Sequence, residues 1–212
     1  MHPRPPCRST HTFTDAATSL VYDRWDGRGR PVLLLHPLLL NRTVWWPVAA
    51  DLTGGCVVIA PDLPGHGQTP MSVNCSPGRV AADLARLLHS LDLRQAPIVV
   101  GHATSAHLAA TLTAHIATHA QLSVEEPAGP LRYGVDSAVA AVGIDHVPAP
   151  LQPFAQPRRD PLLLAAYGSW FDHPVRPQPV PSAHHHDDGT PRPRCTPLSD
   201  PEGLAARIRS LL

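Results

Sequence analysis

The sequence carries no excess of either charge, 17 Lys+Arg standing against 17 Asp+Glu. It therefore lacks the basic footprint that grips nucleic acid or an anionic membrane surface. No stretch approaches the roughly 20 apolar residues needed to cross a bilayer. The opening "MHPRPPCRSTHTF" has arginines but no apolar core, so it does not read as a secretory signal. Cys7, Cys56, Cys75 and Cys195 form no C-x-x-C pair, and thiols in a reducing cytoplasm are expected rather than disulfides. Internal repeats are also missing. In their place come 26 prolines and 14 histidines, which crowd the C-terminal part at 144–161 and 172–201. A chain of 212 residues is long enough for one domain with a substantial core and short for two. These features predict a soluble, cytoplasmic single-domain protein with no cofactor, no nucleic-acid partner and no membrane span.

The pattern in the first half is regular. "TSLVYDRW" (18–25) alternates well enough for a half-buried strand. "DGRGR" (26–30) is a turn in which Gly27 and Gly29 are free to take positive φ. "PVLLLH" (31–36), "CVVIAPDL" (56–63) and "APIVVGH" (96–102) are continuous apolar runs, as expected of strands covered on both faces. Between them, "TVWWPVAADL" (43–52) reads as a short helix. "SPGRVAADLARLLHSLDL" (76–93) sets Val80, Leu84, Leu87, Leu88 and Leu91 on one helical face, with Ser76 as N-cap and Pro77 in the first turn. An alanine-rich helix to about His119 follows the third run, and "QLSVEEP" (121–127) reads as a fourth strand. "PLLLAAYG" (161–168) reads as a fifth strand and "DPEGLAARIRSLL" (200–212) as a last helix. Buried strands alternating with amphipathic helices make an α/β protein with a mostly parallel sheet and flanking helices. Ligands bind such sheets at the carboxyl ends of the strands. Attention therefore falls on His36, Asp62, His102 to Thr104, and Glu125 and Glu126.

Three blocks carry a resemblance. "VLLLHPLLLNRTVWWPVAADL" resembles the strand, loop and first helix of the α/β-hydrolase fold. "VVIAPDLPGHGQT" is similar to that family's D-x-P-G-H-G-x-(S/T) segment at Asp62, Pro64, Gly65, His66, Gly67 and Thr69. "IVVGHATSAHLAATLTAH" resembles its nucleophile elbow, with "QLSVEEPAGP" as the strand that follows. Together they cover roughly residues 12–130. The resemblance implies one domain over 12–212 after a disordered tail at 1–11, with a reduced lid at 128–160 and a Pro/His-rich loop at 172–200.

The elbow demands small neighbours, because a strained strand-to-helix turn must lift one side chain above the sheet. Gly101, Ala103, Ser105 and Ala106 meet that demand, yet Ala103 stands where the family has its serine nucleophile. By the same resemblance, the backbone N–H groups of Leu38 and Thr104 form the oxyanion hole, with His36 and His102 beside them. The catalytic acid falls on Glu126 or on Asp172. Aligned without gaps from the last helix, "RCTPLSDPEG" puts Arg194 at the histidine position, and a permanently protonated arginine is no general base. With an insertion, His184, His185 or His186 takes that place instead.

Metal binding is not expected at either histidine cluster. "HIATH" (115–119) lacks the glutamate that a zinc protease needs, and adjacent side chains of "HHHDD" (184–188) seldom converge on one ion. Three functions fit the resemblance. One is a pseudoenzyme that keeps the pocket and binds a small hydrophobic or acyl-type ligand. Another is a serine-free lyase, cyclase or isomerase using His36, His102 or Glu126, and the third is a serine hydrolase in its Ser-to-Ala form. In each case, acyl transfer by the usual covalent route falls by several orders of magnitude.

Overall fold

The structure is a computed structural model and describes residues 7–125, 141–144, 165–167 and 200–212. Among them, six strands form one sheet: β1 (Arg8–Thr14), β2 (Ser19–Trp25), β3 (Val32–Leu35), β4 (Val58–Pro61), β5 (Ile98–His102) and β6 (Ala141–Ile144). Their order is β1-β2-β4-β3-β5-β6. β1 and β2 run antiparallel to their neighbours, whereas β4, β3, β5 and β6 are mutually parallel. The expected α/β architecture is present.

Period-two alternation in the central strands divides the core in two. Leu33, Leu35, Ile59 and Val99 face one side, where Val80, Leu84, Leu87 and Leu88 of α2 (Pro77–Ser90) and Leu108 and Leu112 of α3 (Ser105–Glu125) cover them. Val32, Leu34, Val58, Ala60, Ile98 and Val100 face the other. There they meet Trp45, α1 (Trp46–Leu52) and α4 (Pro201–Arg209) through Val48, Leu52, Leu204 and Ile208. Each fully buried Leu or Val contributes about 1.5–3 kcal/mol relative to exposure, which is why the runs between the turns are uninterrupted by polar residues. α4 begins where Asp200 accepts the Gly203 amide at 2.9 Å.

Several expectations require correction. Residues 8–11, assigned to a disordered tail, belong to β1, whose full length pairs with β2 from Arg8↔Trp25 to Thr14↔Ser19. β2 is buried at Leu20 through Asp23, not alternately exposed, because β1 and β4 flank it while packing covers both faces. Residues 121–125 continue α3 and do not start a strand. The strand that follows β5 in the sheet is Ala141–Ile144, inside the span assigned to a lid. Ala165 and Ala166 are helical and Tyr167 lies in a turn, so the described part of 161–168 is not strand. Ser76 occupies the N-cap of α2 but makes no side-chain cap bond, leaving Pro77 as the start signal. Gly29 takes a positive φ of 120°, whereas Gly27 is required for a different reason: a Cβ there would overlap the Cys56 carbonyl. Cys56 and Cys75 are buried thiols, with desolvation pushing Cys56 up to about 11.

Candidate functional site

The sheet order brings the carboxyl ends of β4, β3 and β5 side by side, so three connections meet at one edge: 36–41, 62–69 and 102–105. The last of these is a strand-to-helix turn. Ala103 sits at φ 50°, a left-handed conformation that costs a residue with a Cβ roughly 1–2 kcal/mol. Gly101 makes the turn possible, since a Cβ there would overlap the Ser105 carbonyl oxygen. The Ala106 amide closes the turn on the Ala103 carbonyl at 3.0 Å. Ser105 is fully buried, and its hydroxyl donates to the His36 carbonyl at 2.5 Å, anchoring the turn to the end of β3.

Thr104, beside it, is only partly buried, and its Oγ1 accepts the backbone N–H of Leu38 at 2.9 Å. The two residues expected to offer backbone donors are thus adjacent, and one donor is already bonded to the side chain of the other. Leu39 has a φ of 72° and gives its N–H to His66 Nε2 at 3.1 Å. Leu40 gives its own to the Pro37 carbonyl at 3.2 Å.

His36 and His66 form a reciprocal clamp. His36 Nε2 accepts the Leu63 amide at 2.9 Å, while His66 Nε2 accepts the Leu39 amide in the opposite direction. Each Nδ1 then donates to a carbonyl of its own loop, Pro37 at 2.8 Å and Pro64 at 2.9 Å. Two amides pointing at the Nε2 atoms fix both rings in the Nδ1–H tautomer. Burial depresses the basicity of both, His36 to about 3. His36 is fully buried with both nitrogens engaged, so the expectation that it faces a ligand is replaced by a structural role. Tyr167 reaches the same clamp, donating its hydroxyl to the Pro64 carbonyl at 2.7 Å with its ring edge-on to His66.

Beneath the clamp lies a buried ionic cluster. Asp62 accepts the Arg42 guanidinium, the Arg42 amide at 2.8 Å and the Gln68 amide at 2.8 Å. Arg42 also pairs with Asp23 at 3.0 Å and donates to Gln68 at 2.8 Å. Asp23 accepts the Thr10 hydroxyl at 2.6 Å and the Trp46 indole at 2.8 Å. Desolvation would raise the Asp23 carboxyl, but these hydrogen bonds and the Arg42 charge outweigh it and hold it below its ordinary value. No sequence pattern separates a buried arginine from a solvated one, and this cluster and the contact of Tyr167 were not foreseen.

His102 is 5% exposed and lies edge-on to Trp45. Among the described residues its Nδ1 and the Trp45 indole nitrogen have no hydrogen-bond partner, and desolvation pulls the imidazole down to about 4. Both clamp histidines and His102 are therefore neutral near pH 7. Glu126, Asp172, His184 to His186 and Arg194 lie outside the described residues. Among the described residues no group of three or more His, Cys, Asp or Glu is placed to hold a metal ion. No helix among them is long and apolar enough to cross a membrane.

Residues 32–211 match the family model described as the alpha/beta hydrolase family. Uncharacterized proteins of Mycobacterium tuberculosis and Mycobacterium bovis are 40% identical over 77 residues, a stretch covering 36% of this chain and 22% of theirs. Among solved structures, the thioesterase domain of the curacin biosynthetic pathway is similar at 25% identity, covering 51% of this chain and 40% of that one with a TM-score of 0.46. The epoxide hydrolase CorEH is similar at 26%, over 48% and 36%, with a TM-score of 0.45. An N-acyl homoserine lactonase complexed with N-butanoyl homoserine is similar at 23%, over 50% and 40%, also at 0.45. The match of the family model across most of the chain, with its strands and turns in order, makes this protein a member of the alpha/beta hydrolase family.

Proposed function

We propose that the chain is a hydrolase-fold protein that keeps the backbone of the nucleophile elbow, cannot form an acyl-enzyme there, and binds a small hydrophobic or acyl-type ligand at the carboxyl ends of β3 and β5. One observation carries this reading. Ala103 holds a strained φ of 50° at the turn from β5 to α3, and its side chain is a methyl group. A turn built only to connect β5 to α3 gains nothing from such a conformation, so the retained strain points to a retained site. Ser105 is no substitute nucleophile in this reading, being fully buried and bonded to the His36 carbonyl. A serine-free reaction centred on His36 loses support for the same kind of reason, since both ring nitrogens are held by backbone groups.

The test pairs binding with turnover. Butyrate titrated into the isotope-labelled protein is expected to shift the amide resonances of Ala103 and Thr104 saturably. With p-nitrophenyl butyrate the same protein is expected to release no burst of nitrophenol. A stoichiometric burst from the unaltered chain would overturn the reading by revealing another nucleophile. Saturation binding confined to other parts of the molecule would remove its ligand half. A burst that appears only in Ala103→Ser would identify the missing hydroxyl as the sole chemical lesion.

A further inference from the structure

We infer that the Thr104 hydroxyl is a built-in stand-in for the ligand's oxygen, which an incoming carbonyl or carboxylate must displace from the Leu38 amide. The inference rests on the acyl-site reading above and names the residue that sets its threshold. The loop after β3 offers three successive amides toward its neighbours, and each already has an acceptor. Leu39 N–H is held by His66, and Leu40 N–H by the Pro37 carbonyl. Neither acceptor can withdraw without dismantling the clamp or the turn. Leu38 N–H is different: its acceptor, Thr104 Oγ1, sits on a side chain that a rotation about χ1 removes, leaving the backbone in place.

The neighbouring donor completes the argument. Among the described residues the Thr104 N–H has no acceptor, and it stands immediately before a long helix whose first amides carry positive partial charge. An oxygen bridging the Leu38 and Thr104 amides must take up the space in which Oγ1 now accepts from Leu38. The hydroxyl satisfies one amide of the pair and leaves the other without an acceptor among the described residues. The Leu38 amide is thereby paired before any ligand arrives, and a ligand exchanges one hydrogen bond before it gains the second.

Two substitutions and two readouts test this. Thr104→Ala removes the competing oxygen, whereas Thr104→Ser retains it and serves as the conservative control. Hydrogen exchange of the Leu38 amide should accelerate at least tenfold in Thr104→Ala and stay near the unaltered rate in Thr104→Ser. Butyrate should bind Thr104→Ala roughly fivefold more tightly, the scale of one net hydrogen bond lost by the competitor, with Thr104→Ser unchanged. Unaltered Leu38 exchange in Thr104→Ala would overturn the contact itself. Faster exchange with equal or weaker butyrate binding would show that the hydroxyl does not compete, overturning displacement alone. If no variant binds butyrate, displacement fails together with the acyl-site reading. Binding by Thr104→Ala only would uphold the stand-in and refute ligand binding by the unaltered protein.

Discussion

Two constructions meet at the carboxyl end of the sheet, and they are held together in opposite ways. The turn after β5 is made of small residues, Gly101, Ala103 and Ala106, with one buried hydroxyl from Ser105 and one strained φ. The paired loops after β3 and β4 are made of polar side chains: two neutral histidines, one arginine and one aspartate, all nearly or fully buried. The turn depends on what is missing, since each absent atom gives the backbone room. The loops depend on what is present, since each polar group answers another. Reactive residue types therefore mark the part that is locked into polar bonds, and on the function proposed above the inert methyl of Ala103 marks the part that faces the ligand.

The largest way to break the contrast is at Arg42. Arg42→Ala takes the guanidinium from Asp62 and leaves Asp23 only the more distant, half-exposed Arg8 at 3.6 Å, and a loss of about 3–5 kcal/mol is expected in urea denaturation. Arg42→Met with both aspartates changed to asparagine should recover part of that loss. Next is Gly101→Ala, whose new methyl collides with backbone that cannot yield. A loss of about 3 kcal/mol or more is expected, visible as a lowered denaturation midpoint, with no change in how stability depends on pH.

Acid should act on the buried histidines, two in the paired loops and His102 at the end of β5. The unfolded histidines take up protons near 6.5. Folded His36 resists protonation until about 3 and His102 until about 4, with His66 also shifted downward. Their contribution to stability is complete above the unfolded value and is lost as pH falls through the window below it, because the unfolded chain binds more protons there. Midpoints measured from pH 8 to 5 should decline. His36→Gln retains a donor for Pro37 and an acceptor for Leu63, so it should cost about 1–3 kcal/mol at pH 8 and flatten the decline. An unchanged slope in that variant would shift the acid sensitivity away from the clamp. The smallest effect is at Ala103, where glycine relieves the positive φ but loosens the unfolded chain. Ala103→Gly should stabilise by about 0.5–1 kcal/mol in the same titration.

How far the sequence spoke for itself follows the same division. Val32–Leu35, Val58–Pro61 and Ile98–His102 were legible because full burial leaves an unbroken apolar run, and the turn after β5 because its small residues are forced. β1 was not, since an edge strand with "RSTHTFT" largely exposed is held through backbone pairing that leaves no apolar signature. "QLSVE" was misjudged for a related reason: a short mixed run has no period of its own, and here it continues the helix already begun at Ser105. The contacts of Thr104 with Leu38 and of His66 with Leu39 join residues far apart in the chain. Motif spacing put them near one another without revealing which atom answers which.

The placement of β1 has a practical consequence. Thr10 on that strand bonds Asp23, Asp23 pairs with Arg42, and Arg42 holds Asp62, while Arg8 stacks over the Trp46 indole, itself bonded to Asp23. The N-terminal strand is thus a handle on the loops that frame the site. A fusion tag, a protease cut or a shortened expression boundary that frees residues 8–14 would loosen those loops from a distance. The indole of Trp46, partly exposed at that junction, would register the loosening as a change in its fluorescence without any added label.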